Sequence, residues 1–245
     1  MKFISLLLIS FTVLLNTSAA PIPSKADLAY GKHARNKMDF WQAESSNPTP
    51  VLVFFHGGGF KNGDKNSIHK RFKIDDYLKA GVSCVSVNYP FLKHTNMDYM
   101  AIMKHCQDSI EFIKTNSEKW NIDPKKIAAS GSSAGALITE WLGYTTTDIC
   151  AMAVYMQPMG THYFIKPQLV QKTSPPLMIY QASSISDKIH HPDFAKGLKK
   201  VCDQNQATCE LFGSSKNDIQ ELPPETHHRT AIKRFLFKHW EIELK

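Results

Sequence analysis

The chain has 245 residues and a formal net charge of +7, from 29 Lys and Arg against 22 Asp and Glu. Its basic residues are scattered without stacking aromatic residues between them, which indicates a solvated basic surface and argues against a nucleic-acid partner. None of the five cysteines lies in a C-x-x-C pair and no H-x-x-x-H spacing occurs, so we expect neither a metal nor another cofactor.

The first twenty residues are predicted to be a signal peptide. Met1-Lys2 gives a positive start, residues 3–15 are almost wholly apolar, and Ser18 and Ala20 stand where a signal peptidase reads small residues. The apolar run is short for a membrane span, and a retained N-terminal anchor is the alternative. We therefore expect residues 21–245 to form one exported domain, periplasmic or secreted, without membrane contact after the signal is removed.

Strand and helix patterns alternate along the rest of the chain. Strands are predicted over residues 37–41, 51–55, 82–87, 127–129, 151–155, 177–180 and 209–212. Helices are predicted over residues 74–79, 99–113 (ended by 121–124), 134–142, 193–201 and from an N-cap at Thr226 to Trp240. This alternation predicts an α/β fold, with a mostly parallel sheet covered by helices on both faces. The irregular segment 157–175 leaves little material for a lid.

The pentapeptide Gly131-Ser132-Ser133-Ala134-Gly135 lies between a predicted strand and a predicted helix. A serine hydroxyl becomes a useful nucleophile only when it is exposed beside a base, and a tight strand-to-helix turn exposes it. The small neighbours give that turn the room it needs. Ser133 is therefore the predicted nucleophile, and the backbone N–H of Ala134 at the helix N-terminus is a predicted oxyanion donor.

A second motif, His56-Gly57-Gly58-Gly59-Phe60, follows the apolar strand 51–55. A glycine loop lets backbone N–H groups approach a substrate oxygen closely, so Gly58 and Gly59 are the other predicted oxyanion donors. His56 is expected to orient the loop and not to act as the base. A merely flexible turn is the alternative, although the serine motif downstream favours the oxyanion hole.

From about Tyr30 to Trp240 the chain resembles the α/β-hydrolase family, in particular its small H-G-G-G esterases of the polysaccharide-acetyl and feruloyl esterase type. Besides the two motifs above, the resemblance depends on Met38-Asp39-Phe40, Gly63-Asp64, Asn88-Tyr89-Pro90 and Trp120-Asn121-Ile122-Asp123-Pro124. It implies cleavage of a carboxylic ester, on a small molecule or a polysaccharide, through an acyl-enzyme on Ser133. It also implies an acid after the second strand beyond the serine helix and a histidine after the last strand.

The acid is predicted to be Asp187. No Asp or Glu occurs from Tyr155 to Ser186, so Asp187 is the first carboxylate after strand 177–180. Residues 187–189 also look like the acid loop of the family. The alternative is that Asp187 is a surface residue of that loop and that Asp193 caps the next helix.

The histidine is missing from its expected place. The family pattern puts it near residues 216–218, where this chain has Lys216-Asn217-Asp218, and an asparagine cannot shuttle a proton at neutral pH. His190, in the acid loop, is our choice for the base, with His191, His227 and His228 as alternatives.

The absence of any catalytic histidine would leave a hydrolase-fold protein that binds a ligand without turning it over. A peptidase of the same fold is a further alternative, although nothing in the chain resembles the large lid or propeller of such enzymes.

Cys202 and Cys209 bracket a polar turn between a predicted helix and a predicted strand. If the protein is exported to an oxidising compartment, the two cysteines can form a disulfide. The sequence favours neither this disulfide nor two free thiols. The odd number of cysteines leaves at least one free thiol in either case.

Overall fold

The computed structural model describes residues 20–243, so the predicted signal peptide lies, except for Ala20, outside the described residues. One sheet of eight strands runs through this part of the chain. In chain order the strands β1–β8 are Lys25–Ala29, Lys37–Trp41, Thr49–Phe55, Ser83–Asn88, Ile122–Ser132, Ala151–Tyr155, Leu177–Gln181 and Cys209–Gly213.

The strand order across the sheet is β1-β2-β4-β3-β5-β6-β7-β8. Strand β2 is antiparallel to β1 and β4, whereas all other neighbours are parallel. At the centre, Val53 of β3 pairs with Val85 on one side and Ala129 on the other. The α/β fold with a mostly parallel sheet, predicted from the alternating elements, is confirmed.

Seven α-helices, α1–α7 in chain order, accompany the strands over residues 20–243: Ile68–Arg71, Ile74–Leu78, Tyr99–Thr115, Ala134–Thr145, Thr161–Phe164, Pro192–Gln204 and His228–Trp240. They cover both faces of the sheet, because alternate residues of β3 belong to two separate core clusters. Val53 packs in the cluster that α3, α4 and α6 complete, and Phe54 packs in the cluster that α2 and α7 complete. Among the described residues, no helix has both the length and the apolar composition of a membrane span.

Several details of the predicted elements are wrong, and the segment 157–175, predicted to be irregular, contains α5. Helix α3 ends at Thr115, and residues 122–124 begin β5, where a register shift opposite β3 accommodates Pro124. The N-cap of α7 is His227, whose imidazole accepts from the backbone N–H of Arg229, and not Thr226. Strand β1 was not predicted, since an edge strand that pairs only with β2 and is largely exposed carries little apolar alternation.

Candidate active site

Ser133 stands alone between the end of β5 and the start of α4, with φ 56° and ψ −120°. A non-glycine residue at positive φ is strained and persists only where its surroundings fix it. The backbone N–H of Ser133 donates to the carbonyl of Tyr155 (3.0 Å), and the carbonyl of Ser133 accepts from Ala136 N (2.8 Å). At Gly135 a Cβ atom would lie 2.0 Å from the carbonyl oxygen of Phe55, so only glycine lets α4 approach β3 this closely.

The hydroxyl of Ser133 lies within hydrogen-bond distance of a histidine that contacts a carboxylate. His190 Nε2 is 2.9 Å from Ser133 Oγ, and His190 Nδ1 is 3.1 Å from Asp187 Oδ2. The side chains of His190 and Asp187 are 20% and 34% exposed, so both can exchange protons with the solvent. The structure thus brings together the three residues that the sequence analysis selected as nucleophile, base and acid.

The acid and the histidine sit three residues apart in one tight loop after β7. Asp187 Oδ1 accepts from the backbone N–H groups of Ile189 and His190, both at 2.9 Å. The hydrogen bond from the His190 amide is the largest cause that lowers the pKa of Asp187, and it stabilises the charged carboxylate. The carboxylate therefore fixes both the backbone of the loop and the imidazole.

A buried polar network holds the other side of this loop. The carbonyl of His190 accepts from Gln181 Nε2 (2.6 Å) and from the hydroxyl of Ser183. Asn217, 9% exposed, donates from Nδ2 to the carbonyl of Ser183 (2.8 Å). Asn217, at the position where the resemblance led us to expect a histidine, therefore supports the loop that contributes His190. The roles of Gln181 and Ser183 are not visible in the sequence, because an isolated amide and an isolated hydroxyl carry no motif.

The alternative histidines have other contacts. The imidazole Nδ1 of His191 accepts from Asp193 N and caps α6, and that of His227 caps α7. The ring of His228 stacks on Tyr180 with centroids 4.8 Å apart. Burial, with the positive charges of neighbouring side chains, lowers the pKa of His228 to about 4. None of these three rings is among the residues that line the cavity around Ser133.

The glycine loop lies directly against the serine turn. A Cβ atom placed on Gly57 would lie 3.3 Å from Cβ of Ser133. Within residues 20–243, the backbone N–H groups of Gly58, Gly59 and Ala134 donate no hydrogen bond to another backbone group. All three residues line the same cavity as Ser133, so their amides are free to bind a ligand there.

His56 supports the glycine loop from behind. Its Nδ1 is 2.6 Å from the carbonyl of Gly57, and its ring stacks on Tyr89 with centroids 4.3 Å apart. Burial lowers the pKa of His56 to about 4, so the imidazole is neutral and donates from Nδ1. Arg35, a residue that no motif singles out, donates to the carbonyls of Gly63 and Tyr89 and fixes the far end of the loop.

These residues line a cavity of about 960 Å³ at the carboxyl edge of the sheet. Such crevices are the usual ligand sites of open α/β sheets. The segment between β6 and β7, which includes α5, contributes Met156, Met159, Tyr163 and Phe164 to its wall. Over residues 20–243, no group of three or more His, Cys, Asp or Glu side chains could hold a metal ion.

Comparison with known protein families matches residues 38–160 to a family described as BD-FAE. Among curated proteins, esterase LipC of Mycobacterium tuberculosis is 27% identical over 124 residues, which are 49% of this chain and 29% of LipC. Juvenile hormone esterase of Heliothis virescens is 27% identical over 176 residues, which are 60% of this chain and 30% of that enzyme. The chain therefore spans less than a third of the length of these relatives.

Two solved structures share the fold over most of their length. A truncated carbohydrate esterase from gut microbiota superposes with a TM-score of 0.70 at 14% identity, covering 88% of this chain and 95% of that one. Esterase 2 of Thermogutta terrifontis, phosphorylated by paraoxon, superposes with a TM-score of 0.71 at 15% identity, covering 92% and 98%.

Proposed function

The chain belongs to the BD-FAE family of α/β-hydrolase esterases, and we propose that it hydrolyses carboxylic esters through an acyl-enzyme on Ser133. The proposal depends on two consecutive hydrogen bonds. One joins Ser133 Oγ to His190 Nε2, and the other joins His190 Nδ1 to Asp187 Oδ2. A nucleophile, a base and an acid that orients the base are the parts that acyl transfer by serine requires.

In the proposed reaction Ser133 Oγ attacks the ester carbonyl while His190 Nε2 takes its proton. Asp187 holds the Nδ1–H tautomer and stabilises the imidazolium that forms. His190 then gives the proton to the leaving alcohol, and a water molecule repeats the sequence on the acyl-enzyme. The amides of Gly58, Gly59 and Ala134 donate to the oxyanion, and the loss of one such donor typically costs about 10²–10³ in turnover.

We further propose a polysaccharide ester as the substrate of this site. A cavity of about 960 Å³ that opens beside the nucleophile can admit a bulky alcohol portion. One structural relative is named a carbohydrate esterase and another an acetyl ester-xyloside bifunctional hydrolase, from Caldicellulosiruptor lactoaceticus. A substrate of this size outside the cell agrees with the signal peptide predicted for residues 1–20, and we propose that the protein is exported.

The test is hydrolysis of p-nitrophenyl acetate by the wild type and by Ser133→Ala, His190→Ala and His228→Ala. We expect Ser133→Ala and His190→Ala to lower kcat by about 10⁴ or more, since each removes a reacting group. His228→Ala is the matched control: it deletes an imidazole that stacks on Tyr180, so it should lower stability and leave kcat within a few fold.

A fluorophosphonate probe gives a second readout of the nucleophile. The wild type should label on Ser133, and the label should be absent from Ser133→Ala. A wild-type protein that neither labels nor turns over the ester would instead be a hydrolase-fold binding protein, the alternative raised by Asn217.

A further inference from the structure

One wall of the cavity that holds Ser133 is cationic. The consecutive residues Lys70 and Arg71 line it, and Lys61, which follows Phe60, lines the same cavity. Arg71, the last residue of α1, contacts the serine turn directly, because its Nη2 donates to Ser132 Oγ at 3.0 Å. Ser132 immediately precedes Ser133, so the guanidinium is anchored to the residue before the proposed nucleophile, and both line the same cavity.

Arg71 has no acidic partner in the described part of the chain. Within residues 20–243 no carboxylate oxygen lies within 4.0 Å of Arg71, Lys70 or Lys61. Nearby Lys65 is different, since it pairs with Asp39 at 2.7 Å. A half-buried arginine without a counter-charge lowers the stability of the folded protein. A bound anion would supply that charge.

The contacts that Arg71 does make orient it without neutralising it. Its guanidinium carbon lies 5.0 Å from the ring centroid of Tyr155, and its other contact is the uncharged hydroxyl of Ser132. The other donors of its five N–H groups have no hydrogen-bond partner within residues 20–243. A guanidinium held in one place with open donors is suited to a planar, two-oxygen anion.

A second arginine, which does not itself line the cavity, lies behind this wall. Arg229 donates from Nη2 to the carbonyl of Lys70 at 2.6 Å, and its buried Nε has no partner among the described residues. Burial lowers the pKa of Arg71, and Arg229 lowers it further, which agrees with like charges gathered at one place. The local field therefore favours an anion.

The opposite wall is aromatic. Phe60, Tyr99 and Phe164 contact one another, with centroid distances from 5.4 to 6.0 Å. They pack with the core cluster on one face of the sheet, whereas Tyr155, under Arg71, belongs to the cluster on the other face. Ser133 lines the same cavity as Arg71 and these aromatic residues. Because the acyl and alcohol halves of an ester leave its carbonyl carbon in different directions, a bound ester can place one half against the aromatic residues and the other against Arg71.

We propose that the ester bound here carries a carboxylate on the half that faces Arg71. Arg71 binds this carboxylate, and Lys70 adds to the positive electrostatic potential around it. The proposal rests on the ester hydrolysis proposed above and names the chemistry of its substrate. The carboxylate can belong to the alcohol half, as in an esterified uronate, or to the acyl half, as in the hemiester of a dicarboxylic acid.

The experiment measures kcat/KM on two matched pairs of esters. The first pair, 4-acetoxybenzoate and its neutral methyl ester, has the charge in the alcohol half. The second pair, monophenyl succinate and phenyl valerate, has it in the acyl half. We expect the wild type to prefer the anionic member of one pair, and that pair identifies the half that carries the carboxylate. The preference should decrease as salt is added.

Arg71→Gln should reduce that preference at least tenfold, mainly through KM, as expected for the loss of a charged hydrogen bond. Arg71→Lys should retain part of it. Arg234→Gln removes the same charge from an exposed position on α7 that does not line the cavity, and should leave the preference unchanged.

Two results would overturn the proposal. One is a wild type that prefers the neutral member of both pairs. This result can be obtained from the wild type alone, so it does not depend on whether any variant folds. The other is an Arg71→Gln protein that loses activity equally on charged and neutral esters, because that is the result of a damaged serine turn. In either case turnover of the neutral esters that depends on Ser133 would leave the proposed esterase function intact.

Discussion

Asn217 donates a hydrogen bond of 2.8 Å to the backbone carbonyl of Ser183, at the base of the loop that contributes Asp187 and His190. An asparagine at the position where the resemblance places a histidine thus supports the loop whose own histidine, His190, contacts Ser133. The proposed base His190 thus lies within three residues of the proposed acid Asp187.

Asn217→Ala should lower both stability and turnover. The change leaves the buried carbonyl of Ser183 without its donor, which typically costs about 1–3 kcal/mol. It also loosens the loop, so kcat for p-nitrophenyl acetate should fall while KM changes little. Urea denaturation and steady-state kinetics measure the two effects. Ser186→Ala, at an exposed position of the same loop, is the control. An unchanged kcat in Asn217→Ala would show that the loop does not depend on this bond.

Asp187→Asn should lower kcat by about 10³–10⁴ while the fold is kept, because the imidazolium of His190 loses the charge that stabilises it. Asp193→Asn is the matched control, since that exposed carboxylate contacts Lys196 and not His190. Equal activity of the two variants would remove Asp187 from the proposed triad.

Gly135→Ala and Gly197→Ala should have opposite effects on stability. At Gly135 the added Cβ would meet the carbonyl of Phe55 at 2.0 Å, so α4 must move away from β3 and soluble protein should be largely lost. At Gly197, in the middle of α6, no atom lies within 4 Å of the added Cβ. There alanine should raise the free energy of unfolding by about 0.5–1 kcal/mol. Thermal denaturation of both variants tests this, and a stable, active Gly135→Ala would contradict the close approach.

The protein should lose stability between pH 6.5 and about pH 4. Burial lowers the pKa of His56 and His228 from 6.5 to about 4 in the folded state. The unfolded chain therefore binds more protons than the folded protein in this window. The stability that the two neutral imidazoles contribute is fully present above pH 6.5 and is lost as the pH falls toward 4. For His56 the loss is about 3 kcal/mol. Unfolding free energies at pH 7 and pH 4.5 measure it.

His228→Phe provides the comparison for this pH dependence, because it keeps a ring against Tyr180 and removes the titrating group. Its stability should fall less between the two pH values than that of the wild type. A steeper fall in the variant would contradict the assignment.

Cys202 and Cys209 should form a disulfide when the protein folds in an oxidising compartment. Both are thiols in the structure, and a hydrogen bond from Cys209 lowers the pKa of Cys202, which favours the reactive thiolate. Closing so short a loop typically adds about 2–3 kcal/mol of stability. Non-reducing mass spectrometry after peptide digestion should find the two linked peptides, and Cys209→Ser should lack the link. Five titratable thiols in protein from an oxidising compartment would refute the bridge.

Much of the architecture was predictable because the core strands carry their own patterns. Residues 151–155 form β6 with the predicted bounds, and the predicted α6 lacks only its ends. Local patterns failed where tertiary contacts decide the outcome. Strand β1 exists because β2 offers it an edge, and Pro124 fits into β5 because the register shifts there.

The sequence by itself determined the α/β fold and the two glycine-containing turns, because buried strands need continuous apolar runs and tight turns need small residues. It also narrowed the acid to Asp187, since no other carboxylate follows β6 before it. Only the tertiary structure decided which histidine faces Ser133, because that depends on how one loop folds back over the sheet edge. The cationic wall at Arg71 is equally invisible in the sequence, since it brings residue 71 against residue 132 across a distance in the chain that no local pattern spans.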